Sequence, residues 1–164
     1  MKRPSKPGLL YRLTRSLNPR MAANYRRGFG PRRAVLLLTT TGRRSGLPRV
    51  TPLQYEEVDG AYYVGSARGA SADWLRNIQA DPRVQVEVGK HRFAAQAEVV
   101  CSPERVADFL ALRIKRHPWM MGGLMRLEGL PLFYSRSDLE RFASRKTLVI
   151  LQPVGIEDLH PLAE

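Results

Sequence analysis

Residues 34–66 read AVLLLTTTGRRSGLPRVTPLQYEEVDGAYYVGS, and the alternation of strand-forming and turn-forming residues here decides the fold. Runs rich in Val, Leu, Thr and Tyr suit a pleated, half-buried surface, and the clusters between them are too short to hold a helix. Strands are predicted over about 34–41, 48–57 and 61–66. Gly42 to Gly46 joins the first two, and Asp59-Gly60 reverses the chain before the third.

The same reading extends toward the C-terminus. Strands follow at about 83–88 and 91–100, reversed at Gly89-Lys90, and another at about 147–152. Between the third and fourth strands, Ala72 to Ala80 reads as a short helix ended by Asp81-Pro82. Ser102 to Lys115 opens as a capped helix, with Ser102 as cap, Pro103 in the first position, and Val106, Phe109, Leu110 and Ile114 on one face. Six antiparallel strands with few helices predict a mainly β fold with peripheral α, a closed or partly closed barrel. No internal repeat or low-complexity segment interrupts it.

Toward the N-terminus the character changes. Residues 1–8 have little to bury and read as a tail, while Leu10, Leu13, Leu17 and Met21 recur at helical spacing with Arg12, Arg15 and Arg20 between them. Residues 1–30 are thus expected to form a basic tail and amphipathic helix ahead of a domain over 31–164. The preferred reading packs the leucine stripe on the domain; the alternative docks it on an anionic membrane.

The 164 residues suit one core of ordinary size, and 43% of them are hydrophobic. The net charge is +12, from 27 Lys and Arg against 15 Asp and Glu. Residues 1–50 hold 13 of the basic residues and no acidic one, leaving residues 51–164 at a net of minus one. So uneven a distribution implies an anionic partner: a phosphate-bearing cofactor, an anionic membrane or nucleic acid. Nucleic acid ranks last, because Phe29 is the only aromatic among the arginines of residues 26–50.

Ala34 to Leu38 is far shorter than the ~20 apolar residues of a membrane span. The Arg32-Arg33 pair ahead of it resembles an export signal, but the run passes into Thr39 to Thr41 with no small-residue cleavage site, so it reads as a buried strand. The single cysteine, Cys101, permits no intrachain disulfide, which fits a reducing cytoplasm. Cytoplasmic localisation is expected, with association at the inner membrane face as the alternative.

Two segments carry the features of a ligand site. Thr41-Gly42-Arg43-Arg44-Ser45-Gly46 joins two strands; its glycines let backbone amides converge, and its arginines supply charge-assisted donors suited to a phosphate. It is neither a Walker loop nor a dinucleotide fingerprint. Ser66 to Ile78 runs from a strand through small residues into a helix, which lets a planar ring approach the backbone. On spacing alone Trp74 reads as core and Asn77 as a residue holding the loop. His91, His117 and His160 lack metal-ligand spacing, no catalytic triad is legible, and no metal site or catalytic side chain is assigned.

Taken in this order, and joined by Arg49-Val50-Thr51-Pro52-Leu53, the two segments resemble the deazaflavin-dependent nitroreductases and quinone reductases. The resemblance runs from about Val35 to Val100 and includes Ala80-Asp81-Pro82-Arg83-Val84. It implies a six-stranded split β-barrel related to the flavin mononucleotide-binding oxidases, holding coenzyme F-420 in a groove. By that likeness Arg43, Arg44, Ser45 and Gly46 grip the phosphate and acidic tail, with Arg49 nearby. Thr51 and Pro52 border the ring region, Ser66, Ala67, Arg68 and Gly69 line the deazaflavin edge, and Trp74 and Asn77 anchor the helix beside it.

The activity implied is hydride transfer from reduced coenzyme F-420 to a small electrophilic acceptor: a quinone, activated alkene or nitroaromatic. Flavin mononucleotide (FMN) is the alternative cofactor, since it too presents a phosphate and a planar ring, and a non-catalytic basic lipid- or nucleic-acid-binding module is the rival of another class. The sequence departs from many family members in its shorter loop between Arg68 and Trp74. His117 to Phe142 aligns with no family segment, although Tyr134 is a candidate substrate-side tyrosine. The acceptor, and the choice between monomer and homodimer, are left open.

Overall fold

The computed structural model of the protein describes residues 23–24, 35–66 and 69–155. The expected N-terminal helix, the boundary near residue 30, and site residues Ala67 and Arg68 lie outside them. Six strands form: β1 (Val35–Thr41), β2 (Pro48–Val58), β3 (Ala61–Ser66), β4 (Arg83–Val88), β5 (His91–Val100) and β6 (Thr147–Pro153). They close into a barrel in the order β1-β2-β3-β6-β5-β4, every neighbouring pair antiparallel. A single 3-10 turn (Gly69–Ser71) precedes α1 (Asp73–Ala80), and α2 (Pro103–Arg116), α3 (Pro118–Leu127) and α4 (Arg136–Ala143) follow β5.

Strand alternation sorts the side chains into two cores. Leu36, Leu38, Val64, Val84, Val86, Ala95, Ala97, Val149 and Leu151 fill the barrel together with Leu75 and Ile78 of α1. Helix α1 therefore plugs one mouth. The opposite faces of β3 and β6 present Tyr63, Leu148 and Ile150 to a helical wing, where Val106, Phe109, Met121, Met125, Leu139 and Phe142 cover them. Each fully buried Leu, Val or Ile contributes on the order of 1.5–3 kcal/mol, so β6, apolar on both faces, is shared by both cores.

Helix α2 begins as expected: Ser102 Oγ accepts from the Arg105 amide and Pro103 occupies the first turn. Helices α3 and α4 occupy the stretch that carried no assignment. Helix α4 has a complete capping box, in which Ser135 Oγ accepts from the Asp138 amide and the Asp138 carboxylate accepts from the Ser135 amide.

A buried ion cluster also fastens the wing. Glu56 is 6% exposed, and its carboxylate lies 3.4 Å from Arg113 Nε, 3.1 Å from Arg116 Nη1 and 3.1 Å from His117 Nε2. Arg113 also donates from Nη2 to Gln54 Oε1 at 3.0 Å. One strand carboxylate thus gathers three groups from the corner where α2 passes into α3.

Candidate functional site at the hairpin and helix mouth

The β1–β2 hairpin and α1 meet at one mouth of the barrel. The turn closes with the Gly42 amide donating to Leu47 O at 2.9 Å, and the Ser45 and Gly46 amides donating to Gly42 O at 3.1 and 2.7 Å. A Cβ at Gly42 would come 2.8 Å from Ser45 Oγ and 3.1 Å from Leu47 O, so the tight turn requires glycine there. Gly46 has φ +67°, a conformation glycine adopts without cost. The hairpin glycines are thus explained by backbone geometry before any ligand is considered.

One buried amide locks this turn to α1. Asn77, 4% exposed, donates from Nδ2 to Thr40 Oγ1 at 3.1 Å. Its Oδ1 accepts from the Arg43 amide at 3.2 Å and from Arg43 Nη1 at 3.1 Å. Arg43 Nη2 continues to Asp73 Oδ1 at 3.1 Å. Asn77 therefore fastens the hairpin itself, through side-chain and turn contacts, while the loop before α1 has its own ties. Ser66 Oγ donates to Gly69 O at 2.9 Å, and Arg76 Nε donates to Ala70 O at 3.3 Å.

The two hairpin arginines differ in consequence. Arg43 is engaged by Asp73 and Asn77 along the flank of α1. Arg44 is exposed and has no hydrogen-bond or ion-pair partner among the described residues. Ser45 and Gly46 are exposed beside it, and Arg49 Nη2 reaches Ser45 Oγ at 3.4 Å. The turn thus offers hydroxyl and guanidinium donors to solvent at the mouth that α1 plugs. That donor set fits an anionic oxygen.

The other expected residues divide by position. Arg49 pairs with Thr40 and Thr51 with Leu38, which puts both on the inward-facing register of β2 beside the mouth, whereas Pro52 pairs with Leu37 on the outer register. Ser66 is buried at the end of β3. Gly69 has φ +52°, and a Cβ there would lie 3.1 Å from Arg145 O, so a side chain would be strained and would press on the turn before β6. Trp74 is half-buried and packs against the barrel core, as its spacing suggested.

Asp73 is the residue that the sequence reading missed. Its signal was present as an acidic residue in the first turn of a helix, placed to receive a hairpin arginine. Elsewhere, a shallow hollow lined by Val58, Tyr63, Phe109, Leu112, Leu148 and Ile150 lies between α2 and the outer face of the barrel, and shares no residue with the mouth. His91 is exposed, His117 is bonded to Glu56, and Cys101 is exposed. No group of metal-binding side chains forms among the described residues, and no helix there is long and apolar enough to cross a membrane.

Comparison with known proteins matches residues 12–119 to the family model described as F420H(2)-dependent quinone reductase. The Mycobacterium tuberculosis protein F420H(2)-dependent quinone reductase Rv1261c is 38% identical over 68 residues, 40% of this chain and 46% of that protein. The aligned stretch thus spans less than half of that relative. Among solved structures, the conserved hypothetical protein Rv2991 of M. tuberculosis superposes with a TM-score of 0.53 at 18% identity, covering 84% of this chain and 80% of its own. A Listeria innocua protein described as a pyridoxamine 5'-phosphate oxidase superposes with a TM-score of 0.52 at 13% identity, covering 90% and 99%. These two likenesses establish the barrel architecture.

Proposed function

The chain belongs to the F420H(2)-dependent quinone reductase family, and on that premise we propose that it is an oxidoreductase that binds reduced coenzyme F-420 at the hairpin mouth and passes its hydride to a quinone-like acceptor. The observation that carries this reading is the junction of the two candidate segments. Asn77, Arg43 and Asp73 hold the β1–β2 turn against α1, so Arg44, Ser45 and Gly46 stand fixed beside the helix into which the second segment leads.

In this arrangement Arg44 and Arg49 bind the phosphate and acidic tail, with Ser45 Oγ as a further donor. The 3-10 turn that begins at Gly69 exposes only the small residues Ala70 and Ser71, which lets a flat ring approach its outer face. Thr51 borders the ring from the inner register of β2, and Pro52 contributes only backbone. Arg43, assigned to the tail by resemblance, is instead a positioning residue that orients the turn. When bound, reduced coenzyme F-420 supplies a hydride; the protein supplies orientation, exclusion of water and hydrogen bonds to negative charge developing on the acceptor. Nitroaromatics and activated alkenes are acceptors of the same electrophilic class.

Equilibrium titration tests the reading. Coenzyme F-420 is expected to bind more tightly than FMN, and Arg44→Ala to weaken it by ~1.5–3 kcal/mol, the range of a charge-assisted bond, with an unchanged melting temperature. Preferential binding of FMN, or an unchanged dissociation constant in Arg44→Ala, overturns it.

A further inference from the structure

Helix α3, PWMMGGLMRL, is apolar on all sides and carries one charge, Arg126. Met121 and Met125 are 3% and 2% exposed and face the wing core. An adjacent stripe is bare: Met120, Leu124 and Leu127, at helical spacing, are 52%, 47% and 88% exposed, with Trp119 beside them at 93%. The loop that follows adds Leu132 at 57% and Phe133 at 91%. Scattered exposed leucines are ordinary, but so many large apolar groups within one helix and its loop mark a surface that operates against a second phase.

The charges around it select the phase. Lys115, in the last turn of α2, and Arg126, two turns after Trp119 on the same side of α3, are exposed and have no ion-pair partner among the described residues. The one acidic residue of residues 111–134, Glu128, is engaged by Lys146 at 2.6 Å. The unpaired charge bordering the apolar stripe is therefore all positive. Two copies meeting here would bring like charges together. An anionic lipid surface takes up both features, accepting Trp, Phe and Leu at its headgroup boundary and attracting Lys and Arg.

We propose that the α3 face, Trp119, Leu124, Leu127 and Phe133 bordered by Lys115 and Arg126, docks the protein peripherally on anionic lipid. The surface lies on the helical wing and shares no residue with the hairpin mouth, so the proposal stands apart from the cofactor reading. It also differs from docking through the basic N-terminal segment, which the experiment separates.

The test is cosedimentation of the full chain with vesicles of phosphatidylcholine containing about one-third phosphatidylglycerol, and with vesicles of phosphatidylcholine alone. Binding is expected to the anionic vesicles, weakened by salt, and to fall at least tenfold in the triple variant Trp119→Ser, Leu127→Ser, Phe133→Ser. A second variant, Lys115→Glu with Arg126→Glu, is expected to lose the salt-sensitive part. Far-UV circular dichroism and melting of both variants should match the parent, because every substituted side chain is exposed. Three results overturn the proposal: no binding by the parent, equal binding by the triple variant, which would assign attachment to another segment such as the N-terminal one, or a parent dimer in light scattering that the triple variant converts to monomer.

Discussion

The hairpin mouth and the helical wing are both fastened to the barrel, by opposite means. At the mouth a single neutral amide, Asn77, satisfies groups from β1, the turn and, through Arg43, α1 itself. At the wing a charge, Glu56, gathers two arginines and a histidine beneath an extensive apolar core. A neutral pin of fixed geometry sets a position sharply and costs little to desolvate. A buried carboxylate requires its whole cation set, since an unpaired buried charge is far more expensive than an unpaired amide. The mouth is built for placement and the wing for adhesion.

The contrast predicts the sizes of the losses. Glu56→Ala should be the most damaging, at about 3 kcal/mol, the lower end for breaking a buried pair because Arg116 and His117 are partly in solvent; urea denaturation measures it. Glu56→Gln should recover part of that loss by keeping hydrogen-bonding capacity. If both variants are as stable as the parent, the cluster does not hold the wing.

Asn77→Ala is expected to cost about 2 kcal/mol, since it strands the Arg43 amide and leaves Thr40 Oγ1 only its long contact to Arg49 O. Beyond stability, it should weaken coenzyme binding by loosening the turn. Arg43→Ala, which leaves Asn77 in place, should cost about 1 kcal/mol and weaken the coenzyme less than Arg44→Ala does. A larger affinity loss from Arg43→Ala than from Arg44→Ala would reverse the roles given to the two arginines.

The smallest effect belongs to the α4 cap. Ser135→Ala should lower stability by about 1 kcal/mol, read as a small drop in melting temperature. The Asp138 carboxyl is held below its ordinary range by the Ser135 amide and hydroxyl. A carboxyl depressed in the folded state stabilises above its unfolded pKa, and that contribution is lost as pH falls through the folded value. The variant keeps the backbone amide and loses the hydroxyl, so the acid side of the stability profile should flatten in part, and an unchanged acid limb would assign the whole Asp138 contribution to the amide.

The sequence was informative where local chemistry determines structure. All six strands stand within a residue or so of their predicted positions, because Asp59-Gly60 and Gly89-Lys90 punctuate them and the intervening runs alternate. The wing was opaque for a physical reason. In α3 the apolar residues have no polar counter-face and Gly122-Gly123 interrupts helix propensity, so neither period nor composition marks a helix. The α4 signal, Ser135 followed by Asp138, was legible as a cap but heads a helix of only 8 residues. At the site, sequence found the segments that meet and could not tell which arginine is internally engaged. That depended on Asp73 and Asn77 reaching across from another element.

The strand order carries a consequence for synthesis. β6 lies between β3 and β5, although it is translated after all the other strands. Until residues 147–153 leave the ribosome, β3 and β5 each hold an open hydrogen-bonding edge, and both cores lack the strand they share. Neither half can mature first and wait for the other. The nascent chain must carry sticky edges from the synthesis of β3 to that of β6, which makes closure by β6 the event that ends this exposure to aggregation.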